Sequence, residues 1–350
     1  MNTQLLSIEE HAAQVYEKAG AVLKNGGLVA FPTETVYGLG ADALNGDAAA
    51  RIYAAKGRPS DNPLIVHIAD IEKLSFIAST IPEKAKKLCD TFWPGPLTMI
   101  FPKTDVVPLG TTGGLETVAV RMPNHPVALE LIRAGGGYIA APSANTSGRP
   151  SPTKASHVME DLSGKIDMVI DGGDVGIGLE STIVDMSVEP PMILRPGYIT
   201  KEMLEDVIGE VAVDKTLLTH TDTAAKPKAP GMKYKHYAPK GELFIVEGTT
   251  EHVIAQINKL TSEQLQAGHT VGIIATTETK DCYPEGFIEV IGSRNDELSI
   301  AQNLYDVLRR FDEAGVEFIY SESFYTPHIG GAIMNRLLKA AAHRIIQADN

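Results

Sequence analysis

The chain has 350 residues and a mass of 37.5 kDa, a length that predicts two domains rather than one compact core. With 21% charged and 43% hydrophobic residues it is not a disordered chain, and its formal net charge of −13 argues against a generally basic nucleic-acid surface. Two cysteines exclude a disulfide framework and a cysteine zinc site. No apolar run nears the roughly 18 residues of a membrane span and no signal peptide is visible, so we expect a cytoplasmic protein.

Short β-branched runs alternate with helical patterns through the first 210 residues. The pattern predicts helices over 15–23, 48–55, 83–92, 126–134 and 201–208. It predicts strands over 28–31, 64–68, 97–101, 118–121, 138–141, 168–170, 181–185 and 192–195. Because Pro- and Gly-rich loops separate these strands, we expect a mixed α/β sheet that carries its chemistry on loops.

The composition changes after residue 210. Residues 221–240 contain five lysines against one aspartate, together with prolines, which indicates a basic, extended linker. Strands predicted over 243–246, 270–274 and 318–320 then alternate with helices predicted over 252–266, 300–314 and 331–343. This alternation predicts a small parallel sheet wrapped by helices. We therefore expect a first domain over 1–210, a linker over 211–240 and a second domain over 241–350.

Two polar loops are the candidate sites. Residues 56–63 read Lys-Gly-Arg-Pro-Ser-Asp-Asn-Pro, and two cations beside Gly and Pro suit a rigid loop that holds phosphate oxygens. The alternative is a solvated basic turn. Residues 141–153 follow a predicted strand and carry hydroxyls, an amide and an arginine, which suits ligand binding at a strand end. The same residues also simply make turns, and composition does not separate the two possibilities.

Other motifs are weaker. Ser151 and Lys154, with Ser-Asp-Asn at 60–62, imitate part of a penicillin-binding serine acylase signature, but in reversed order and without Lys-Thr-Gly. The pairs Gly38-Leu39-Gly40 and 176–178 lack the third glycine of a dinucleotide fingerprint, and no Walker A loop exists. His67 lies inside the apolar run 64–68 and is either a satisfied core histidine or a residue that faces a site.

Six separated motifs, at 31–39, 56–59, 94–98, 120–123, 143–145 and 194–197, resemble those of the YrdC-like family. Residues 230–239 and the domain after them resemble the family's longer, two-domain members, the L-threonylcarbamoyladenylate synthases. The resemblance implies a catalytic domain with a twisted, open mixed α/β sheet and a concave cavity. It also implies a linker over that cavity and a smaller Rossmann-like parallel α/β domain.

The resemblance implies a reaction in which L-threonine, bicarbonate and ATP give threonylcarbamoyl-AMP and pyrophosphate, with Mg²⁺ accompanying ATP and no metal ligand assigned to the protein. The product would pass to the tRNA threonylcarbamoyl-transfer machinery, and the acidic charge argues against direct tRNA binding. A carbamoyl transfer in hydrogenase maturation uses the same domain type, but with extra modules that this sequence lacks. An RNA-binding module without catalysis is the alternative from another class.

The resemblance also assigns site residues. Lys56 and Arg58 would be catalytic, as counter-charges for the triphosphate and the leaving oxygen. ATP would contact Arg58, Asn62, Thr117, Ser143, Asn145, Ser151, Arg195, His236 and Tyr237. L-threonine would contact Thr35, His67, Arg121, Ala141 and Ser181. Alanine at position 56 or 58 is expected to leave folding intact, because a phosphate-facing loop adds little to a core.

Overall fold

The computed structural model describes residues 2–9, 11–217, 227–230 and 236–348. Its contacts divide the chain into two compact units. The first holds Met1–Ser147, Ser151–Gly176 and Glu180–Tyr234, and the second holds 148–150, 177–179 and Lys235–Asn350. The domain boundaries at 210 and 240 stay predictions, and residues 218–226 and 231–235 of the predicted linker lie outside the described residues. In the described ranges, no helix is both long and apolar enough to cross a bilayer.

The described part of the first unit is a mixed sheet with helices. Its strands are β1 (Gln4–Ser7), β2 (Val29–Phe31), β3 (Gly38–Asp42), β4 (Ile65–His67), β5 (Leu97–Pro102), β6 (Thr117–Arg121), β7 (Ile139–Ala140), β8 (Met168–Asp171), β9 (Thr182–Asp185), β10 (Met192–Arg195) and β11 (Ala212–Val213). Its helices are α1 (Ala12–Lys24), α2 (Gly46–Lys56), α3 (Leu74–Ile77), α4 (Glu83–Phe92), α5 (Pro126–Ala134), α6 (Ala155–Leu162) and α7 (Lys201–Ile208). The strand order is β1-β8-β2-β3-β7-β4-β6-β5-β9-β10-β11. Parallel and antiparallel pairs alternate irregularly along it, so the predicted mixed α/β sheet is confirmed.

The sequence predicted no strand over β3, whose first and third residues are glycines. Gly38-Leu39-Gly40 pairs with β2 on one side and β3 continues onto β7 on the other. A Cβ at Gly40 would lie 2.8 Å from Ile139 Cγ2 and 2.9 Å from Phe31 Cε1. Gly40 therefore allows a neighbouring side chain and a ring to approach closely, which is a usual reason for glycine inside a strand.

Strand register brings Arg121 to the centre of the sheet. Arg121 ends β6 and pairs with His67 at the end of parallel β4 and with Thr98 on antiparallel β5. Thr98 pairs in turn with Ile183 of β9, two residues after Ser181. Residues far apart in sequence thus become neighbours along one row of the sheet.

The described part of the second unit is a five-stranded sheet with order β14-β13-β15-β12-β16. Its strands are β12 (Glu242–Glu247), β13 (Val271–Thr276), β14 (Phe287–Gly292), β15 (Phe318–Glu322) and β16 (Ile345–Gln347). Its helices are α8 (Thr250–Gln266), α9 (Glu297–Glu313) and α10 (Gly330–Ala340). Each pairing of these strands is parallel, which confirms the predicted small parallel sheet. The sequence reading missed its two edge strands, β14 and β16.

Candidate active site

The turn between β2 and β3 places two side chains beside the sheet. Thr33 Oγ1 donates to Val36 O at 2.7 Å and accepts from Thr35 N at 3.2 Å, so one hydroxyl closes the turn. The Thr33 and Thr35 hydroxyl oxygens lie 2.9 Å apart. Glu34 and Thr35 therefore leave the turn in a fixed direction, toward Arg121.

Arg121 is 4% exposed and is held by three neighbours. Its Nε donates to Gly95 O at 3.3 Å, and its Nη1 donates to Thr35 Oγ1 at 2.9 Å. Its Nη2 lies 2.7 Å from Glu34 Oε2, in an ion pair whose side chains are 5% and 12% exposed. A buried guanidinium fixed on three sides is a preorganised group for a carboxylate.

Gly95 supports this arrangement from the backbone. Its N–H donates to Met122 O at 2.8 Å, next to Arg121 in the chain, while its carbonyl accepts from the Arg121 guanidinium. A Cβ at this position would lie 2.3 Å from Phe92 O. Glycine in the Pro-Gly-Pro motif is thus required by a close backbone approach.

His67 lies in the sheet beside Arg121 and is 3% exposed. Its Nδ1 is 3.1 Å from Ile65 O, and its ring packs edge-on against Phe31. Burial, followed by the positive charge of Arg121, lowers the pKa of His67 to about 3. The imidazole is therefore neutral at physiological pH. A neutral ring is compatible with both roles left open by the sequence, packing in the core and facing a site.

A chain of hydrogen bonds joins Thr98, Ser181 and Arg195. Thr98 Oγ1 and Ser181 Oγ are 2.7 Å apart, and Arg195 Nη2 donates to the same Ser181 oxygen at 3.2 Å. Arg195 also donates to Ser181 O and Pro230 O, at 3.0 and 3.3 Å. The structure thus brings together a residue predicted for threonine and one predicted for ATP.

Helix α2 carries Lys56 into the interior. The Asn45 side chain caps its start by accepting from the backbone N–H groups of Asp47 and Ala48, and Gly57 ends it in the left-handed conformation at φ 61°. Because Lys56 follows Ile52 by four residues, it lies on the buried face of the helix and is 2% exposed.

The Lys56 ammonium is bonded to the second polar loop. Its Nζ donates to Ser143 O at 2.5 Å and also to Asn145 O, with Asn145 Oδ1 at 3.4 Å. Ser147 N donates back to Lys56 O at 2.9 Å, and Ser143 Oγ donates to Asn145 Oδ1 at 2.5 Å. The two polar loops of the sequence therefore form one cluster. The expectation that Lys56 adds little to folding is revised, because its ammonium holds this loop.

Arg58 and Asn62 define the shape of the first polar loop. Arg58 is half-buried, and its Nη2 donates to Asn62 O at 3.3 Å and to Pro63 O at 3.2 Å. Asn62 is 1% exposed, and its carbonyl also accepts from the Tyr53 hydroxyl at 3.2 Å. The loop is thus an internally bonded turn, and its residues 57, 59 and 60 are exposed to solvent.

The remaining predicted residues are more dispersed. Thr117 is the half-buried first residue of β6, and Ala141 N donates to Ile65 O at 2.8 Å, just after β7. Ser151 is fully buried, and its hydroxyl donates to Glu180 Oε1 at 2.6 Å. His236 and Tyr237 belong to the second unit. There Tyr237 stacks on Tyr305 with ring centroids 5.3 Å apart.

Three polar residues at this site escaped the sequence reading. Glu34, Thr98 and Glu180 contact Arg121, Ser181 and Ser151 respectively. Glu34 and Thr98 lie inside two of the six motifs and Glu180 directly precedes Ser181, but no spacing rule links positions 34 and 121 or 98 and 181. Their partners become visible only in the three-dimensional structure.

The site combines buried positive charge with hydroxyl groups. Lys56, Arg121 and Arg195 are 2%, 4% and 4% exposed, in a chain of net charge −13. Buried cations interact strongly with anions because little water screens them. This arrangement suits anionic reactants such as a carboxylate, a carbamate or a nucleoside triphosphate.

Comparisons with known proteins agree with this chemistry. The Sua5/YciO/YrdC model, described as telomere recombination, matches residues 21–197, and the model for the threonylcarbamoyl-AMP synthase C-terminal domain matches 199–342. The chain is 54% identical to a threonylcarbamoyl-AMP synthase of Bacillus subtilis and 49% identical to one of Pyrococcus abyssi, over 94% of each chain. A crystal structure of P. abyssi Sua5 complexed with L-threonine has a TM-score of 0.92, with 47% identity over 99% of both chains.

Proposed function

The chain belongs to the Sua5/YciO/YrdC family, among its threonylcarbamoyl-AMP synthases, and from this we propose that it forms threonylcarbamoyl-AMP and pyrophosphate from L-threonine, bicarbonate and ATP. The burial of Lys56, Arg121 and Arg195 is the observation that supports this reaction most directly. All of its reactants carry negative charge, so neutralisation and placement must supply most of the rate enhancement.

The amino-acid half of the site is assigned to the row around Arg121. Arg121 takes the threonine carboxylate as a fork, and Thr35 and Ser181 pair with its polar groups. His67 contacts the amino acid as a neutral ring, and the backbone at Ala141 completes the pocket. The threonine amine, once carboxylated by bicarbonate, becomes the carbamate nucleophile.

The nucleotide half is assigned to the two polar loops and Arg195. Arg58 neutralises the triphosphate, while Lys56 holds Ser143 and Asn145 in place and adds positive potential behind them. The carbamate oxygen attacks the α-phosphorus and pyrophosphate leaves. The other proposed ATP contacts are Asn62, Thr117, Ser151, Arg195, His236 and Tyr237.

Mg²⁺ is proposed only as the companion of ATP. Within the described ranges, no three His, Cys, Asp or Glu side chains cluster as a metal site. Mg²⁺ commonly binds through substrate phosphates, waters and one or two carboxylates. The phosphates of ATP would hold the ion.

The product serves tRNA threonylcarbamoyladenosine modification in this proposal, after transfer by other proteins in the cytoplasm. The direct test is incubation with ATP, L-threonine and ¹³C-bicarbonate. We expect threonylcarbamoyl-AMP whose mass is raised by one unit relative to unlabelled bicarbonate, and one pyrophosphate for each adenylate. Formation of AMP without the labelled adduct would contradict the proposal.

A further inference from the structure

Glu34 is an acidic residue inside the positively charged part of the site, and no role above includes it. Its side chain is 12% exposed, and both of its carboxylate oxygens are buried. Burying a carboxylate in a protein is unfavourable unless a cation compensates it. The compensating cation here is Arg121, at 2.7 Å.

The contact between Glu34 and Arg121 orients the guanidinium without covering it. Gly95 O, Thr35 Oγ1 and Glu34 Oε2 each face a different nitrogen of Arg121. A guanidinium has five N–H donors. In the described residues Nε and Nη1 each donate one hydrogen bond, and Nη2 makes an ion pair without hydrogen-bond geometry, so each terminal nitrogen keeps at least one donor. Two donors on neighbouring nitrogens are what a carboxylate needs for bidentate binding.

Two of these three contacts come from one turn. Glu34 and Thr35 are adjacent in the chain, and the Thr33 hydroxyl fixes the turn that presents them. Arg side chains have many rotamers, and a fork that is not held loses much of its advantage over a point charge. The turn therefore acts on the amino-acid site through Arg121.

We propose that Glu34 is a positioning residue of the synthase, which holds Arg121 in the orientation that binds the carboxylate of the amino-acid substrate. This inference rests on the role proposed above for Arg121. Glu34 does not touch the substrate, and its effect is confined to the amino-acid half of the site, because its partner lies in the row of β4, β6 and β5 rather than in the polar loops.

The test makes two measurements on the full-length chain and on each variant. Titration calorimetry gives the Kd for L-threonine, and adenylate formation gives the KM values for L-threonine and ATP. Glu34→Gln keeps the shape and removes the charge, and we expect the Kd for L-threonine to rise about tenfold to a hundredfold. The KM for ATP should stay within about twofold. Glu130→Gln is the matched control, because it removes the acidic partner of Arg133 in a 2.8 Å ion pair at the surface, and it should bind L-threonine as the parent does.

Two further variants separate the possible causes. Arg121→Lys should itself weaken L-threonine binding, and Glu34→Gln in that background should weaken it little further, because both changes act through one group. Glu34→Asp keeps the charge on a shorter side chain and should raise the Kd by about threefold to tenfold, between the parent and Glu34→Gln. If Glu34→Gln does not fold by circular dichroism, Glu34→Asp and the Arg121→Lys comparison decide the question.

The outcomes distinguish this inference from the function on which it rests. If Arg121→Lys binds L-threonine weakly but Glu34→Gln binds it as the parent does, the positioning role is overturned. Where Glu34→Gln does not fold, the same result in Glu34→Asp overturns it. Parent-like affinity in Arg121→Lys would overturn the proposed carboxylate site itself. Equal increases in the constants for L-threonine and ATP would show a general structural defect and would also overturn the positioning role.

Discussion

Replacing Lys56 with methionine should lower both stability and turnover, although methionine keeps most of the side-chain stem. The ammonium donates to the carbonyls of Ser143 and Asn145 in a position that is 2% exposed. Hydrogen bonds that involve a charged group contribute about 1.5 kcal/mol or more each, so the two contacts correspond to about 3 kcal/mol. The free energy of unfolding of the first unit should fall by about this amount.

Turnover should fall by about 10²–10³ in the fraction that remains folded, the scale for removing one electrostatic donor from a transition state. Urea unfolding followed by circular dichroism gives the stability, and pyrophosphate release at saturating substrates gives the rate. Lys84→Met is the matched control, because Lys84 forms a surface ion pair with Glu189. Its stability should change by no more than about 0.5 kcal/mol.

Two results would refute this reasoning in different ways. Full stability in Lys56→Met would show that the ammonium does not hold the loop, whatever happens to the rate. A loss of stability with unchanged turnover per folded molecule would show that Lys56 is structural and plays no part in the electrostatics of the reaction.

Valine should be used at least about 10²-fold less efficiently than threonine, because a site that pairs the substrate hydroxyl leaves buried groups unpaired with valine; comparable kcat/KM values would contradict this. Burial lowers the pKa of His67 from its ordinary 6.5 to about 3, so the unfolded chain binds a proton there that the native chain does not, and stability falls as the pH drops below about 6.5. Between pH 6.5 and 5 the parent should lose about 1.6 kcal/mol more than His67→Gln in urea unfolding, and parallel losses would refute the assignment. His236→Ala with Tyr237→Ala should weaken ATP binding and lower the yield of intact adenylate, and parent-like values for both in mass detection and nucleotide titration would remove these residues from the site.

The sequence predicted much of the secondary structure because apolar periodicity survives wherever a strand or helix packs on a core. The prediction failed where close packing or an ion pair, rather than burial of an apolar side chain, determined the residue type. No strand was predicted over Gly38 and Gly40, because glycine is depleted in strands, yet both lie in β3, where Ile139 and Phe31 leave no room for a Cβ at Gly40. The edge strand β14 carries Glu289 in an inward position, paired with Arg310 at 2.8 Å, which broke the apolar pattern.

The motifs of the candidate site could be predicted from the sequence one by one. The side-chain contacts that join one motif to another could not be predicted. Lys56 was expected to lie on a phosphate-facing loop outside the core, because the sequence shows its charge but not its helical phase relative to the core. The pairing of Glu34 with Arg121 depends on strand order, since β2, β3, β7, β4 and β6 lie side by side in an order that no local pattern encodes. Local chemistry identifies groups, whereas topology decides which groups meet.

The backbone at Gly95 sets a limit on how the amino-acid pocket can be redesigned. Any side chain at this position meets Phe92 O, and relief of that clash would shift the carbonyl that accepts from Arg121 Nε. We therefore expect nearly every substitution of Gly95 to lower activity, although glycine has no side chain that could contact the substrate. Directed evolution toward other amino acids should leave this position constant and vary the side chains that read the substrate's own side chain. Gly95 thus affects which amino acid is bound only indirectly, through the position of the Arg121 side chain that its carbonyl holds.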